Sequence, residues 1–274
     1  MTLLKLLSPA DYFSIANGAI GALGILYFID GGEKHIMIGI ALIYVAMFMD
    51  GLDGAIARRF GSKHNLGVYL DSMADSVSFC FAPAVFVYKV FYDIAEGSAF
   101  ENIDNFLAVA TAISIATVGI VRLAIFSYYK ENKLHSFVGL PTPSMTFFVL
   151  TGGIIFRDYN YIILPATIVI VSLMLMNFPY PKITTRNLVL IAILGLLSGL
   201  LGAFMGALNI DHYKIPLMIS FAIILIYILF PLITVISGKR MENEISTDPM
   251  KNEKASDPIK NEKTSDQVEA KQDI

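Results

Sequence analysis

The sequence predicts an all-α integral membrane protein of about eight transmembrane helices followed by a polar C-terminal tail. The 274 residues are 55% hydrophobic and only 16% charged, a balance that soluble domains rarely reach. Apolar runs near the ~20 residues needed to cross a bilayer recur along the chain. Charge is also segregated: of the 43 Asp, Glu, Lys and Arg residues, 16 lie from Lys239 onward, so the net charge describes neither part. The expected division is a transmembrane domain over 1–238 and a polar tail over 239–274.

The first expected span, 12–29, holds an amide, Asn17, and glycines at 18, 21 and 24 whose spacing suits close helix packing. The residues before it show no small-residue cleavage pattern, so no removed signal peptide is expected. The second span, 35–52, runs out within "MDGLDGAIARR", residues 49–59, and the third, 71–92, opens on Asp71 and carries Lys89 near its outer end, where a lysine can snorkel. The fourth, 104–127, contains Arg122 more than a turn inside its end. The fifth, 141–157, begins with Pro141 and Pro143, residues tolerated in a first helical turn. Spans over 161–178, 188–208 and 213–236 complete the set, the shorter ones accommodated by tilt and snorkelling.

Loop charge predicts orientation. Arg58, Arg59, Lys63, Lys130, Lys133, Lys182, Arg186, Lys239 and Arg240 all fall on one side of this arrangement, and the opposite loops are poorer in positive charge. Both termini are therefore expected in the cytoplasm. The tail has no aromatic residue and nearly repeats itself in "STDPMKNEK" and "ASDPIKNEK", a composition expected to stay disordered because it buries too little to offset its ordering entropy. The sole cysteine, Cys80, excludes an intrachain disulfide and a cysteine-based metal site. The four histidines show no ligand spacing.

Two stripes of carboxylates are out of place in this apolar body. At about 100° per residue, Asp50, Asp53, Gly54, Ala57 and Arg58 share one sector of a helix. Gly67, Asp71 and Asp75 form a second stripe at i, i+4 spacing, joined to the first by a short basic loop. An ionised aspartate at membrane depth costs about 3 kcal/mol, so four require cations among them. Oxygen ligands without His or Cys suit Mg²⁺ or Mn²⁺, and four carboxylates suffice for two divalent cations. Gly54, Ala57 and Gly67 leave the helix surfaces bare for a bulky anionic ligand whose phosphates Arg58 would meet. Capping or interfacial ion pairing accounts for a single aspartate but does not require two registered stripes. Cation transport accounts for the carboxylates but not for their Gly, Ala and Arg companions.

The pattern Asp50-x-x-Asp53-Gly54-x-x-Ala57-Arg58, eight residues, then Gly67-x-x-x-Asp71-x-x-x-Asp75 resembles the complete signature of the CDP-alcohol phosphotransferases. The resemblance implies a membrane enzyme that displaces CMP from a CDP-alcohol with a second alcohol. It implies metal ligation by Asp50, Asp53, Asp71 and Asp75, a cytidine diphosphate site lined by Gly54, Ala57 and Arg58, and Asp75 as general base. It further implies a six-helix core, with spans seven and eight as an addition, and a homodimer.

Three further stretches resemble serine-type members of that family. "SFVGLPTPSM", residues 136–145, matches their "GLPTP" segment on the same face as the carboxylates; Thr142 and Ser144 there are either ligand contacts or part of a plain helix start. Arg122, in "RLAIFS", partly matches an arginine motif and either holds a lipid phosphate or the serine carboxylate or snorkels to the interface. Asn17 matches the asparagine opening the first core helix, with Ala16 where proline is usual, and bonds either cytidine or a neighbouring helix. The implied substrates are CDP-diacylglycerol, or an ether-lipid analogue, and L-serine. Inositol phosphate or glycerol phosphate as acceptor would keep the same chemistry. Membrane lipids are the expected surroundings, and no nucleic-acid partner is expected.

Overall fold

Backbone hydrogen bonds left without water must close within helices in a bilayer, and the described residues are almost entirely helical. The structure, a computed structural model, describes residues 7–60, 66–92, 101–131, 139–176, 180 and 186–236. The helices are α1 (Pro9–Asp30), α2 (Glu33–Phe60), α3 (Leu66–Asp75), α4 (Ala82–Phe91), α5 (Glu101–Glu131), α6 (Thr142–Ile155), α7 (Asn160–Leu173), α8 (Arg186–Ala207) and α9 (Lys214–Ile236). The contacts considered below lie in the first of two units, Met1–Ile233; of the second, Thr234–Ile274, only the last turn of α9 is described. The expected tail, 239–274, lies outside the described residues.

Helix α1 starts where Pro9 can sit without an N–H to lose, and the Ser8 N–H donates to the Asp11 carboxylate at 2.7 Å. It ends at Gly31 and Gly32, whose φ of +76° and +80° strain any other residue. The chain then reverses into α2, which packs along α1. The core is built on buried Phe28, Ile40, Tyr44, Phe79, Phe86 and Leu150. Helices α3 and α4 form one span, Leu66–Phe91, interrupted by a π turn over Ser76–Phe81.

Hydropathy alone misplaced two boundaries. Helix α2 continues through the aspartate motif to Phe60, well past the expected end at 52, and α3 begins at Leu66, before the expected 71. Backbone hydrogen bonding carries a helix onward wherever the side-chain stripe has somewhere polar to face, so the motif is helical rather than terminal.

Six stretches among the described residues are helical, long and apolar enough to cross a membrane. The expected fifth and sixth spans are shorter as helices than the runs 141–157 and 161–178. They are the helices α6 and α7, each 14 residues long, bent by 99° about a 3-10 turn at Arg157–Tyr159. At 1.5 Å per residue each reaches about 21 Å, short of a ~30 Å hydrocarbon core. The pair closes on itself, since the Leu140 N–H donates to the Leu173 carbonyl at 3.5 Å. Gly139 (φ +87°) enters this contact where a Cβ would lie 2.4 Å from the Met174 carbonyl oxygen. Beyond the pair, α8 and α9 are held by hydroxyls, Ser198 donating to the Pro216 carbonyl at 2.6 Å and Ser220 to that of Gly195 at 3.1 Å.

Candidate active site

The site is built from the cytoplasmic-expected ends of α1, α2, α3, α5 and α6. Asp50 and Asp53, three apart on α2, face Asp71 on α3, and one carboxylate oxygen from each lies within 4.8 Å of the others. Two unit charges at 4.8 Å repel by roughly 3.5 kcal/mol at an effective dielectric constant of about 20. That repulsion exceeds what an ordinary surface ion pair returns, and Asp53 is buried besides. A cation among the three relieves it. The donors are all hard oxygens, with no His or Cys in the group, so the set fits Mg²⁺ or Mn²⁺ and not a soft-ligand metal.

Helix α1 fixes the carboxylates from the side. The Ser14 hydroxyl donates to Asp53 Oδ2 at 2.7 Å, and Asn17 Nδ2 donates to Asp75 Oδ1 at 3.0 Å. These residues are three apart, so one face of α1 serves both α2 and α3. Asn17 is fully buried, the Ser78 hydroxyl donates to its backbone carbonyl at 3.0 Å, and its Oδ1 has no hydrogen-bond partner among the described residues. Asp75 is not one of the three carboxylates that close within 4.8 Å of one another, but the charges of Asp50, Asp71 and Asp53 act on it and its own acts on Arg122. Gly54 and Gly67 are half-buried beside the aspartates. Ala57 and Arg58 continue α2, and their side chains lie outside the described residues.

Arg122 is buried at 7% exposure, so it does not snorkel to the interface. Its Nη1 donates to the Thr142 hydroxyl at 3.1 Å and its guanidinium lies 5.3 Å over the Phe126 ring centroid. Thr142 therefore holds Arg122, a use that neither sequence alternative included. Ser144 is buried in the first turn of α6, its N–H donating to the Pro141 carbonyl at 3.1 Å. Two residues escaped the sequence reading. Ser14 carries no signal beyond sharing a helix face with Asn17, and Thr146, which donates to the Phe79 carbonyl at 2.8 Å, stands four after Thr142.

A family model described as CDP-alcohol phosphatidyltransferase matches residues 7–178. The chain belongs to the CDP-alcohol phosphatidyltransferase family. The match ends with α7, so α8 and α9 lie beyond the segment that defines the CDP-alcohol phosphatidyltransferases. The chain is similar to a CDP-diacylglycerol--serine O-phosphatidyltransferase of Methanocaldococcus jannaschii, 28% identical over 220 residues that cover 80% of this chain and 92% of that protein. It is similar to an archaetidylserine synthase of Methanothermobacter thermautotrophicus, 28% identical over 63% of this chain and 69% of that one. A CDP-diacylglycerol--serine O-phosphatidyltransferase of Bacillus subtilis is 31% identical over 38% of this chain and 53% of that protein. CDP-alcohol phosphatidyltransferases generally depend on divalent cations, and the Asp50, Asp53 and Asp71 cluster is compatible with that dependence.

Proposed function

We propose that this multi-pass membrane enzyme transfers a phosphatidyl group from CDP-diacylglycerol, or its ether-lipid analogue, to the hydroxyl of L-serine and releases CMP. The observation that carries the reading is a triad of carboxylates within 4.8 Å, with Asp75 acted on by their charge and itself acting on a buried, oriented arginine. The names of the relatives above support serine as the acceptor. The lipid's linkage is left to its apolar tails, which generic apolar surface meets in either form.

Asp50, Asp53, Asp71 and Asp75 would hold two divalent cations, Mg²⁺ or Mn²⁺. When bound, these offset the negative charge of the diphosphate and of the departing CMP. Gly54, Gly67 and Ala57 keep bulk away from the cytidine diphosphate, and Arg58 meets its phosphates. Asn17 engages one oxygen of Asp75 and leaves the other to accept the proton of the serine hydroxyl. The serine oxygen then bonds to the phosphorus on the diacylglycerol oxygen as the bond from that phosphorus to CMP breaks. The unpartnered Oδ1 of Asn17 is suited to accept a hydrogen bond from the nucleotide. Arg122, held by Thr142, pairs with the serine carboxylate or the lipid phosphate, and Ser144 lines the same side.

Loop charge supports an active site and termini on the cytoplasmic side, and the family resemblance supports a homodimer. The deciding experiment gives purified enzyme CDP-diacylglycerol with a panel of acceptors and measures CMP release with and without divalent metal. Serine-dependent, metal-dependent release is expected. Release with inositol phosphate or glycerol phosphate but not with serine overturns the choice of acceptor.

A further inference from the structure

Asp75 is the last residue of α3, and the π turn Ser76–Phe81 follows it directly. Within this turn the Ala82 N–H reaches back five residues to the Val77 carbonyl. Pro83 lies in the first turn of α4 and has no N–H. In an unbroken α-helix, an N–H at position 83 would serve the Phe79 carbonyl. That carbonyl receives the hydroxyl of Thr146 from α6 at 2.8 Å, closer than the Thr142 carbonyl, the hydroxyl's other acceptor, at 3.2 Å, and Thr146 is fully buried. Neighbouring Ser/Thr hydroxyls and local π adjustment are the means by which a membrane helix re-satisfies groups that a proline frees.

The turn is held on its other side as well. A Cβ at Gly21 of α1 would lie 2.1 Å from Ser78 Oγ, so α1 touches the turn with no room for a side chain. Beyond the turn, α4 is locked in the core by Phe86, Val87, Val90 and Phe91, all buried. Since α4 cannot rotate, the turn sets the phase of α3. Each residue of helix advances the side chains by roughly 100°, so replacing the π turn by α register would swing Asp71 and Asp75 by about that angle.

We propose that Thr146 is a positioning residue for Asp75: by donating to the Phe79 carbonyl, to which Pro83 offers no α-register N–H, it holds the π turn and so aims the carboxylates of α3 at those of α2. The kinetic part of this inference rests on the transferase reading; the structural part does not.

The test uses the full chain in detergent micelles and compares the parent with Thr146→Val, Thr146→Ser, Pro83→Ala and Pro83→Ala/Thr146→Val. Loss of a buried hydrogen bond predicts amide exchange across residues 76–82 about tenfold faster in Thr146→Val, with near-parental exchange in Thr146→Ser. In Pro83→Ala/Thr146→Val, the N–H regained at position 83 takes over the Phe79 carbonyl in α register, and the fold survives. Its kcat for CMP release should fall about tenfold or more below that of Pro83→Ala, and the divalent-metal concentration giving half-maximal rate should rise severalfold, because the α3 carboxylates that would hold the cations lose their aim. Equal exchange in the parent and Thr146→Val, or equal kcat per folded molecule in Pro83→Ala and the double variant, overturns the proposal. A parent that releases no CMP with any acceptor defeats the transferase reading instead, and the exchange comparison still decides the role of Thr146.

Discussion

The two polar ends of this bundle carry charge in opposite ways. At one, Asp50, Asp53 and Asp71 bring like charges within 4.8 Å, with Asp53 buried. At the other, a cleft beside the α6–α7 turn is lined by Glu33, Arg157, Asp158, Tyr213 and Lys214, a mixture of signs that is mostly exposed. Mixed charge in water largely neutralises itself and contributes little. Like charge in a partly buried setting is costly until a cation enters, so among the described residues the first end favours a bound cation. Burial and sign, not the number of ionisable groups, separate a reactive site from a solvated surface.

The largest effect should come from weakening the like-charged cluster. Asp53→Asn or Asp71→Asn is expected to lower kcat about a thousandfold or more, and chelation of divalent metal to do the same, since several kcal/mol of charge stabilisation disappear. A CMP-release assay checks both; near-parental activity in either variant would dissolve the contrast between the two ends.

An intermediate effect should separate the arginines. Arg122→Ala removes a buried, hydrogen-bonded charge and is expected to raise the KM for serine about tenfold to a hundredfold, whereas Arg157→Ala at the exposed end should stay within about twofold. Steady-state kinetics on the two variants side by side makes the comparison quantitative.

The smallest effect concerns pH at the exposed end. The Tyr213 hydroxyl donates to Glu33 Oε1 at 3.2 Å, and burial, followed by the nearby Glu33 charge, pushes its pKa above the ordinary tyrosine value of 10.0. A pKa raised on folding gives stability that is fully present below the unfolded value and is lost as pH rises through the folded one. Thermal unfolding of the parent should therefore weaken slightly above about pH 10, and Tyr213→Phe should flatten that part of the profile without changing CMP release.

The site was legible in sequence wherever its residues share one helix. Asp50 with Asp53, and Asp71 with Asp75, announce themselves through spacing, because helical periodicity maps sequence separation directly onto a face. The partners supplied by other helices were not legible. Ser14 is 39 residues from Asp53, and Thr146 is 67 from Phe79. A lone hydroxyl in an apolar run carries no mark of what it will touch. The shortness of α6 and α7 was not legible for a related reason: hydropathy measures how apolar a run is, whereas its length as a helix depends on the turn at Arg157–Tyr159 and on packing.

The sequence by itself determined the all-helical membrane class, the family signature and the two carboxylate stripes, since each follows from composition or from periodicity within a single element. Only the tertiary structure decided that the stripes meet, that Asn17 and Ser14 hold them and that Arg122 turns inward to Thr142. Those outcomes depend on the rotation of each helix about its own axis. That rotation is set by contacts such as Gly21 against Ser78 and Thr146 on Phe79, which no local pattern encodes.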